Sequence, residues 1–486
     1  MTATSPRDAV TQPEPEPRAE PQPEPRPDQR TGTAPARSDA RAPLFRNGYA
    51  LMVNTAISGG LGLVYWWLAA VYYSKADMGQ GSAAIAAMKF LSSLTALGFT
   101  GALARFVPVA GRATGRLLRR AYGVNVLASS VITVVFLAAL PLWGSHYAFL
   151  SGWQRSAGFL VAVLAWSWLT LQDGVLIGLR AAVWVPVGNL SFSVGKAVLL
   201  VVLAGAIPAT GVFVSWVAAI ALSVVPLGWL ILRRLIPRQV AAADPDLLPP
   251  TERQIGRFLA GDYTGSVFNL VVTYFVPVLV AAKVSSDQNA VYYIINTIGG
   301  TLDLLAVNMA ASLTVESSRQ PSQLGANTRG ALARMACVTL PCFAVLALLA
   351  APILEVFGPG YAAAGAPLLR WLAAAGFLRV LIELYFGTLR ARSRTREVAL
   401  FQGLLCALVL SLSLLLMPRM GIAGVGLAVL ISQGAVALCA LPGLLRVLRD
   451  RPPHVGAPHA GPKAGPHVVP QAATEPATDE ATEDAT

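Results

Sequence analysis

Seven charged residues stand in or at the ends of stretches otherwise made of Leu, Val, Ala and Gly: Lys89, Arg105, Asp173, Lys196, Asp303, Arg379 and Glu383. In a bilayer such a charge costs about 2.5 to 3.5 kcal/mol at the centre, so each should face a cavity or a partner. Lysine and arginine in that setting can pair with the oxygens of an anionic group such as a phosphate. A buried carboxylate can take up a proton or meet a cation. Lys196 lies near the middle of its run, too deep to snorkel, and reads as an interior cation. Lys89 lies a few residues below a turn, so its stem reaches either the interface or an internal cavity. Arg105 ends its run, where it suits phosphate capture at an entrance or the general basic bias of that end. Arg379 and Glu383 are one helical turn apart and can pair with each other. Asp303 has no partner nearby in sequence. Asp173 sits ~10 Å from the turn at Arg180, whereas Lys196 lies ~20 Å beyond Val183, at 1.5 Å per residue. Separate roles follow, with Asp173 a polar anchor near the interface that meets a neighbouring Arg.

The elements that must hold these residues are membrane helices. The chain has 486 residues, 55% hydrophobic and 13% charged, and a mean hydropathy of +0.58, too apolar for a set of soluble domains. Runs long enough to cross a ~30 Å core occur near 48 to 73, 82 to 107, 121 to 142, 157 to 178, 183 to 206 and 210 to 232. Six more occur near 258 to 282, 290 to 315, 331 to 351, 366 to 389, 398 to 417 and 421 to 445. None alternates polar and apolar residues as a barrel strand would. The expected fold is therefore an all-α polytopic membrane protein, with twelve transmembrane helices in two six-helix lobes around a central cavity. The expected divisions are a Pro/Glu/Arg-rich disordered tail over 1–43, an N-lobe over 44–232, a charged Pro-rich linker over 233–257, a C-lobe over 258–445 and a second disordered tail over 446–486. The first segment lacks the apolar stretch of a secretory signal, so none is expected.

Lys and Arg at the ends of the runs are unevenly divided, twenty-two on one side and four (Lys75, Arg155, Lys283, Arg419) on the other. The positive-inside bias places both termini in the cytoplasm and the turns near Asp77, His146, Asp287 and Tyr361 outside, in a multi-pass plasma-membrane protein. Six spans per lobe return the second in the orientation of the first, which permits a parallel repeat. A shift of 210 residues lays the segment around Asp77 on that around Asp287. Cys337, Cys342, Cys406 and Cys439 lie in apolar segments without metal-ligand spacing and read as small buried hydrophobes. His454, His459 and His467 fall in the C-terminal tail and read as solvated. No metal, cofactor, nucleotide-binding loop or nucleic-acid partner is expected.

The opening RNGYALMVNTAISGGLGLVYWWLAAVYYSKADMGQGSAA, with its tight S-x-A-D-x-G turn from Ser74 to Gly79, and the following LSSLTALGFTGALARFVP resemble the polysaccharide and oligosaccharide-lipid flippases of the multidrug/oligosaccharidyl-lipid/polysaccharide exporter superfamily. The resemblance implies a cavity lined by helices 1, 2, 7 and 8 that opens alternately to each side. It implies a lipid-linked oligosaccharide of the undecaprenyl-diphosphate type as cargo, moved from inner to outer leaflet for cell-surface polysaccharide biosynthesis. Membrane lipids and glycan polymerases or glycosyltransferases would be the partners. Lys89, Arg105 and Lys196 would then meet substrate, and Asp173, Asp303, Arg379 and Glu383 would serve coupling or structure. A cation-coupled multidrug antiporter of the same superfamily is the alternative, and Asp303 is the residue that favours it. The segment GRATGRLLRR lacks the Asp and the spacing of a major-facilitator loop. An enzyme is not expected, because one would need a carboxylate or histidine set, usually on a substantial extramembrane loop, and the longest connection, the basic linker, contains no His or Cys.

Overall fold

The computed structural model describes residues 58–143, 145–243, 249–319 and 323–449. The tails, with the three C-terminal histidines, and the start of the first span lie outside them. In chain order the helices are α1 (58–72), α2 (Lys75–Ala96), α3 (Phe99–Phe106), α4 (Thr114–Ala138), α5 (Trp153–Gly178), α6 (Trp184–Ala204), α7 (Gly211–Leu230) and α8 (Ile236–Ala241). They continue as α9 (Glu252–Leu270), α10 (Val276–Lys283), α11 (Ser286–Arg319), α12 (Leu324–Leu348), α13 (Ala350–Glu355), α14 (Tyr361–Ala391), α15 (Thr395–Met420) and α16 (Ile422–Arg449). Each of the twelve apolar runs holds a helix, and no strand occurs among the described residues. Ten of the helical stretches are long and apolar enough to cross a membrane by themselves, and α2 with α3 forms an eleventh, bent by 44°. The chain is a multi-pass membrane protein.

The helices begin earlier than their apolar centres suggest, because polar caps extend them. The stretch from Ser74 to Gly79, expected as a tight outer turn, is instead the first turn of α2: Ser74 Oγ accepts from the Asp77 amide at 3.1 Å. Ser285 caps α11 in the same way, accepting from the Gln288 amide at 3.3 Å. In the segment expected as a linker, Thr251 and Gln254 form a reciprocal capping box that starts α9 at Glu252. The preceding helix also runs on into that segment as far as Ala241. It passes through a π-helical stretch at Ile231–Leu235, and a second one at Val271–Phe275 precedes α10. Each lies just before a proline, Pro237 or Pro277, whose missing N–H breaks the regular ladder.

The break in the second span is set by Gly98, whose φ of 80° is a left-handed conformation that side chains disfavour. It lets α3 turn away from α2 and pack against α5. In the first half α2 also touches α4, α5 and α7, and it meets α10 and α11 of the second half; α14 is packed among α11, α12 and α16.

The two halves touch at both ends, with hydrogen bonds at the end opposite the arginine-rich turns. Asn289 Nδ2 donates to the Gly79 carbonyl at 2.9 Å and to Ser82 Oγ at 3.0 Å. Lys75 Nζ donates to the Pro359 carbonyl at 2.6 Å and lies 4.8 Å over the Tyr361 ring. At the arginine-rich end Phe106 packs edge-on against Phe258, Arg120 pairs with Glu252, and Gln239 donates to the Pro108 carbonyl. The cysteines depart from expectation. Only Cys406 is buried, while Cys337 and Cys439 are exposed on helix faces. An apolar face that lipid would cover accepts a small thiol as readily as the protein core does.

Candidate functional site

Trp216 of α7 is buried among aromatic rings from three other helices. Tyr65 of α1, Trp166 of α5 and Phe192 of α6 lie with ring centroids 5.9, 5.5 and 5.5 Å from it. Tyr65 is fixed by its hydroxyl, which donates to the Val212 carbonyl at 2.9 Å and shares a hydrogen bond with Ser215 Oγ. Two ammonium groups converge on this aromatic floor. Lys89 Nζ sits 4.5 Å from the Trp216 centroid and 5.3 Å from that of Trp166. Lys196 Nζ sits 4.4 Å from Trp216, 4.9 Å from Phe192 and 5.2 Å from Tyr65. Cation–π contacts of this kind supply about 0.5 to 2 kcal/mol each, more where water is excluded. Lys196 is only 6% exposed. Among the described residues no carboxylate comes within 4 Å of either ammonium. The first half thus holds two cations against one indole with no ion pair to neutralise them.

Lys89 also reaches a cavity. A cavity of about 460 Å³ is lined by Lys89 and Ala86 of α2 and otherwise by the second half, including Asn296, Thr297, Asp303, Arg379 and Gln433. Lys196 is not on its wall. Arg379 Nη2 pairs with Glu383 Oε1 at 2.9 Å, and Arg390 reaches the other carboxylate oxygen at 3.8 Å. Asp303, which has no partner nearby in sequence, lies within electrostatic reach of both Arg379 and Glu383, which α14 brings across to α11.

Arg105 and Asp173 stand apart from this cluster. Arg105 is exposed, 5.0 Å over Phe258 and 5.7 Å over Phe106. Asp173 is half-buried, and among the described residues neither an arginine nor Lys196 lies within ion-pair distance of it. Sequence reading missed Trp216 and Tyr65, because an aromatic residue in an apolar helix carries no local sign of the cation that will lie on it. The amides Asn296 and Gln433 were missed as well. Polar residues in membrane runs are a usable signal that charged ones overshadowed.

No protein-family model and no curated protein matches the chain. Solved structures do match. One is the lipid II flippase MurJ in an inward closed conformation, with a TM-score of 0.63 and 12% identity over 82% of this chain and 90% of that one. Another is an inward-facing multidrug resistance MATE family transporter of the MOP superfamily, with a TM-score of 0.58 and 14% identity over 80% of this chain and 94% of that one. A third is the MATE multidrug transporter DinF-BH, with a TM-score of 0.57 and 15% identity over 84% of this chain and 97% of that one. The chain therefore shares the twelve-helix fold of MATE and MurJ transporters of the MOP superfamily.

Proposed function

We propose that this protein is a carrier rather than an enzyme. In this reading it moves a lipid-linked oligosaccharide of the undecaprenyl-diphosphate type from the inner to the outer leaflet for cell-surface polysaccharide biosynthesis. The observation that carries the reading is the pair Lys89 and Lys196 on Trp216, two interior cations with no carboxylate within 4 Å among the described residues, one of them on the cavity wall. Unpaired cations in a membrane interior are costly and call for an anion that visits. A diphosphate supplies oxygen acceptors for Lys89 on the wall, and its dense negative charge is also attracted by Lys196 on the same indole. Its lipid tail stays in the bilayer while the head group crosses the cavity. Segments 44–232 and 258–445 act as the two rocking bodies, with 233–257 between them, and both termini lie in the cytoplasm. Arg105 at the arginine-rich end attracts the incoming head group. Glycosyltransferases and a glycan polymerase act before and after it.

A second reading, cation-coupled multidrug export, is favoured by Asp303 on the same cavity wall. One experiment separates the two. Proteoliposomes carrying the purified protein are loaded with an undecaprenyl-diphosphate disaccharide in one leaflet, and its appearance in the other is timed. Flipping that falls at least tenfold in Lys89→Ala supports the proposal. Absence of flipping together with proton-driven uptake of a cationic dye replaces it with the antiporter reading.

A further inference from the structure

At the arginine-rich end, the first half and the start of α9 carry a platform of guanidinium groups. Arg112 lies in the helical turn at Gly111–Ala113, and Arg116, Arg119 and Arg120 follow in the first two turns of α4. Packed against both segments, α8 adds Arg238, while α9, packed against α3, adds Arg253 and Arg257. All seven are exposed. Glu252 is the one carboxylate among the described side chains of these segments, and Arg120 already holds it. Asp244, Asp246 and Asp262 lie in or beside the same stretch of sequence, yet even with all four acids counted the arginines are in excess. Such a surface attracts an anion.

Two observations decide which anion. The first is height above the membrane. The apolar window of the α9 span begins at Ser266, and Arg257 and Arg253 precede it by ~14 and ~20 Å along the helix. Arg120, paired with Glu252, stands level with that first turn. A lipid headgroup layer is only ~5 to 8 Å thick on each face, so these groups reach past it into water. The second observation is in the sequence. Residues 475–484 hold Glu475, Asp479, Glu480, Glu483 and Asp484 and no basic residue, whereas the seven acids of residues 1–46 are matched by seven arginines. α16 ends at Arg449 on the same side of the molecule, and 25 residues separate it from Glu475. A spacer of that length spans ~25 to 30 Å by chain statistics and ~80 Å at full stretch, enough to pass several helices of ~10 Å diameter. Tethering holds the effective concentration near millimolar, so even a weak site is filled.

We infer that the acidic segment 475–484 of this chain docks on the arginine platform, its carboxylates pairing with guanidinium forks. Arg105, over Phe258 and so beside Arg257, stands at the edge of the same surface. On the carrier reading the chain thereby supplies its own competitor for an incoming anionic head group, but the docking itself does not depend on that reading.

The test places the photo-reactive residue p-benzoylphenylalanine at Ala481 of the full-length protein, in nanodiscs that contain phosphatidylglycerol, and maps the adducts by mass spectrometry. Most adducts are expected within one chain, on residues 105–120 and 238–257. Raising the salt from ~0.1 to ~1 M, which shortens the screening length from ~10 to ~3 Å, should reduce them at least fivefold. Replacing the five acids by Gln and Asn should do the same, and this variant leaves every helix untouched. Arg116→Gln combined with Arg253→Gln should also lose the adducts. Adducts on lipid, on other segments or between two copies overturn the inference, as does a yield that neutralising the acids leaves unchanged. If the tail forms no adducts on the platform and the arginine variant instead loses retained phosphatidylglycerol, the platform is a lipid surface and the inference is wrong.

Discussion

The side-chain amide of Asn289 donates to the backbone carbonyl of Gly79 at 2.9 Å, and the two residues are 210 positions apart. The same offset lays Asp77 on Asp287, so matching points of the two halves of the chain touch each other where α2 crosses α11. The approach is close. A Cβ placed on Gly79 would stand 1.8 Å from the Ser286 carbonyl oxygen, a backbone atom that has no flexible end to swing aside.

Gly79→Ala is therefore expected to open the joint between the halves at this end and to abolish transport by holding the molecule away from the closed arrangement. A cysteine placed at Ser82 should react with an impermeant thiol reagent several times faster in Gly79→Ala than in the Ser82→Cys protein alone. Unchanged labelling would mean that the contact does not hold this end shut.

Both termini and the turn from Arg390 to Arg396 are expected on the cytoplasmic face, with Asp77 and Asp287 on the other, from the distribution of Lys and Arg. Single cysteines at Asp287 and Arg392 in intact cells provide the check. Labelling of Arg392→Cys but not of Asp287→Cys would invert the topology.

Trp216→Ala removes the ring that both ammonium groups share, and Lys196→Ala removes one of the two charges. Each is expected to slow flipping at least tenfold while leaving the protein folded, whereas Lys196→Arg should keep part of the activity because charge and ring contact survive. Adding Asp173→Ala to Lys196→Ala should restore nothing, since no ion pair joins the two positions. Recovery of transport in the double variant would assign Lys196 a structural partner instead of a place in the cargo path.

Glu383 is buried and accepts from Arg379, with Arg390 at its second oxygen. Glu383→Gln removes the carboxylate that both guanidinium groups contact, leaving Arg379 only the charge of Asp303, and should destabilise the protein by about 3 kcal/mol. Thermal unfolding in detergent measures this, and a melting temperature within a degree of wild type would show that the pair contributes little.

The helical plan was legible because a membrane span advertises itself by length and hydropathy, and the Arg379 and Glu383 contact follows from one turn of helix. The start of α9 was legible in principle too, since the Thr251 to Gln254 spacing is a capping-box signature. Other features were beyond local reading. The turn at Ser74 looked like a loop because Asp and Gly favour turns, yet the same residues cap and tighten the first turn of α2. Gly98 in a Leu-rich run gave no sign that its backbone would adopt a positive φ. The shared position of Lys89 and Lys196 depends on four helices converging on one indole. Asp303 meets Arg379 only because α14 crosses α11.

The bend at Gly98 has a mechanical meaning. The segment below it, Phe99 to Val109, is ~16 Å long at 1.5 Å per residue, so a swing of only ~10° about the glycine carries its far end through ~3 Å. Phe106, eight residues along, would travel ~2 Å in that swing, shifting it against Phe258, whose ring centroid lies 5.6 Å away. The Gly79 and Asn289 contact lies on the other side of the pivot and need not stretch at all. A swing at Gly98 would thus move one arm of the span without straining the other, so that on the carrier reading one mouth of the molecule would loosen before the other lets go.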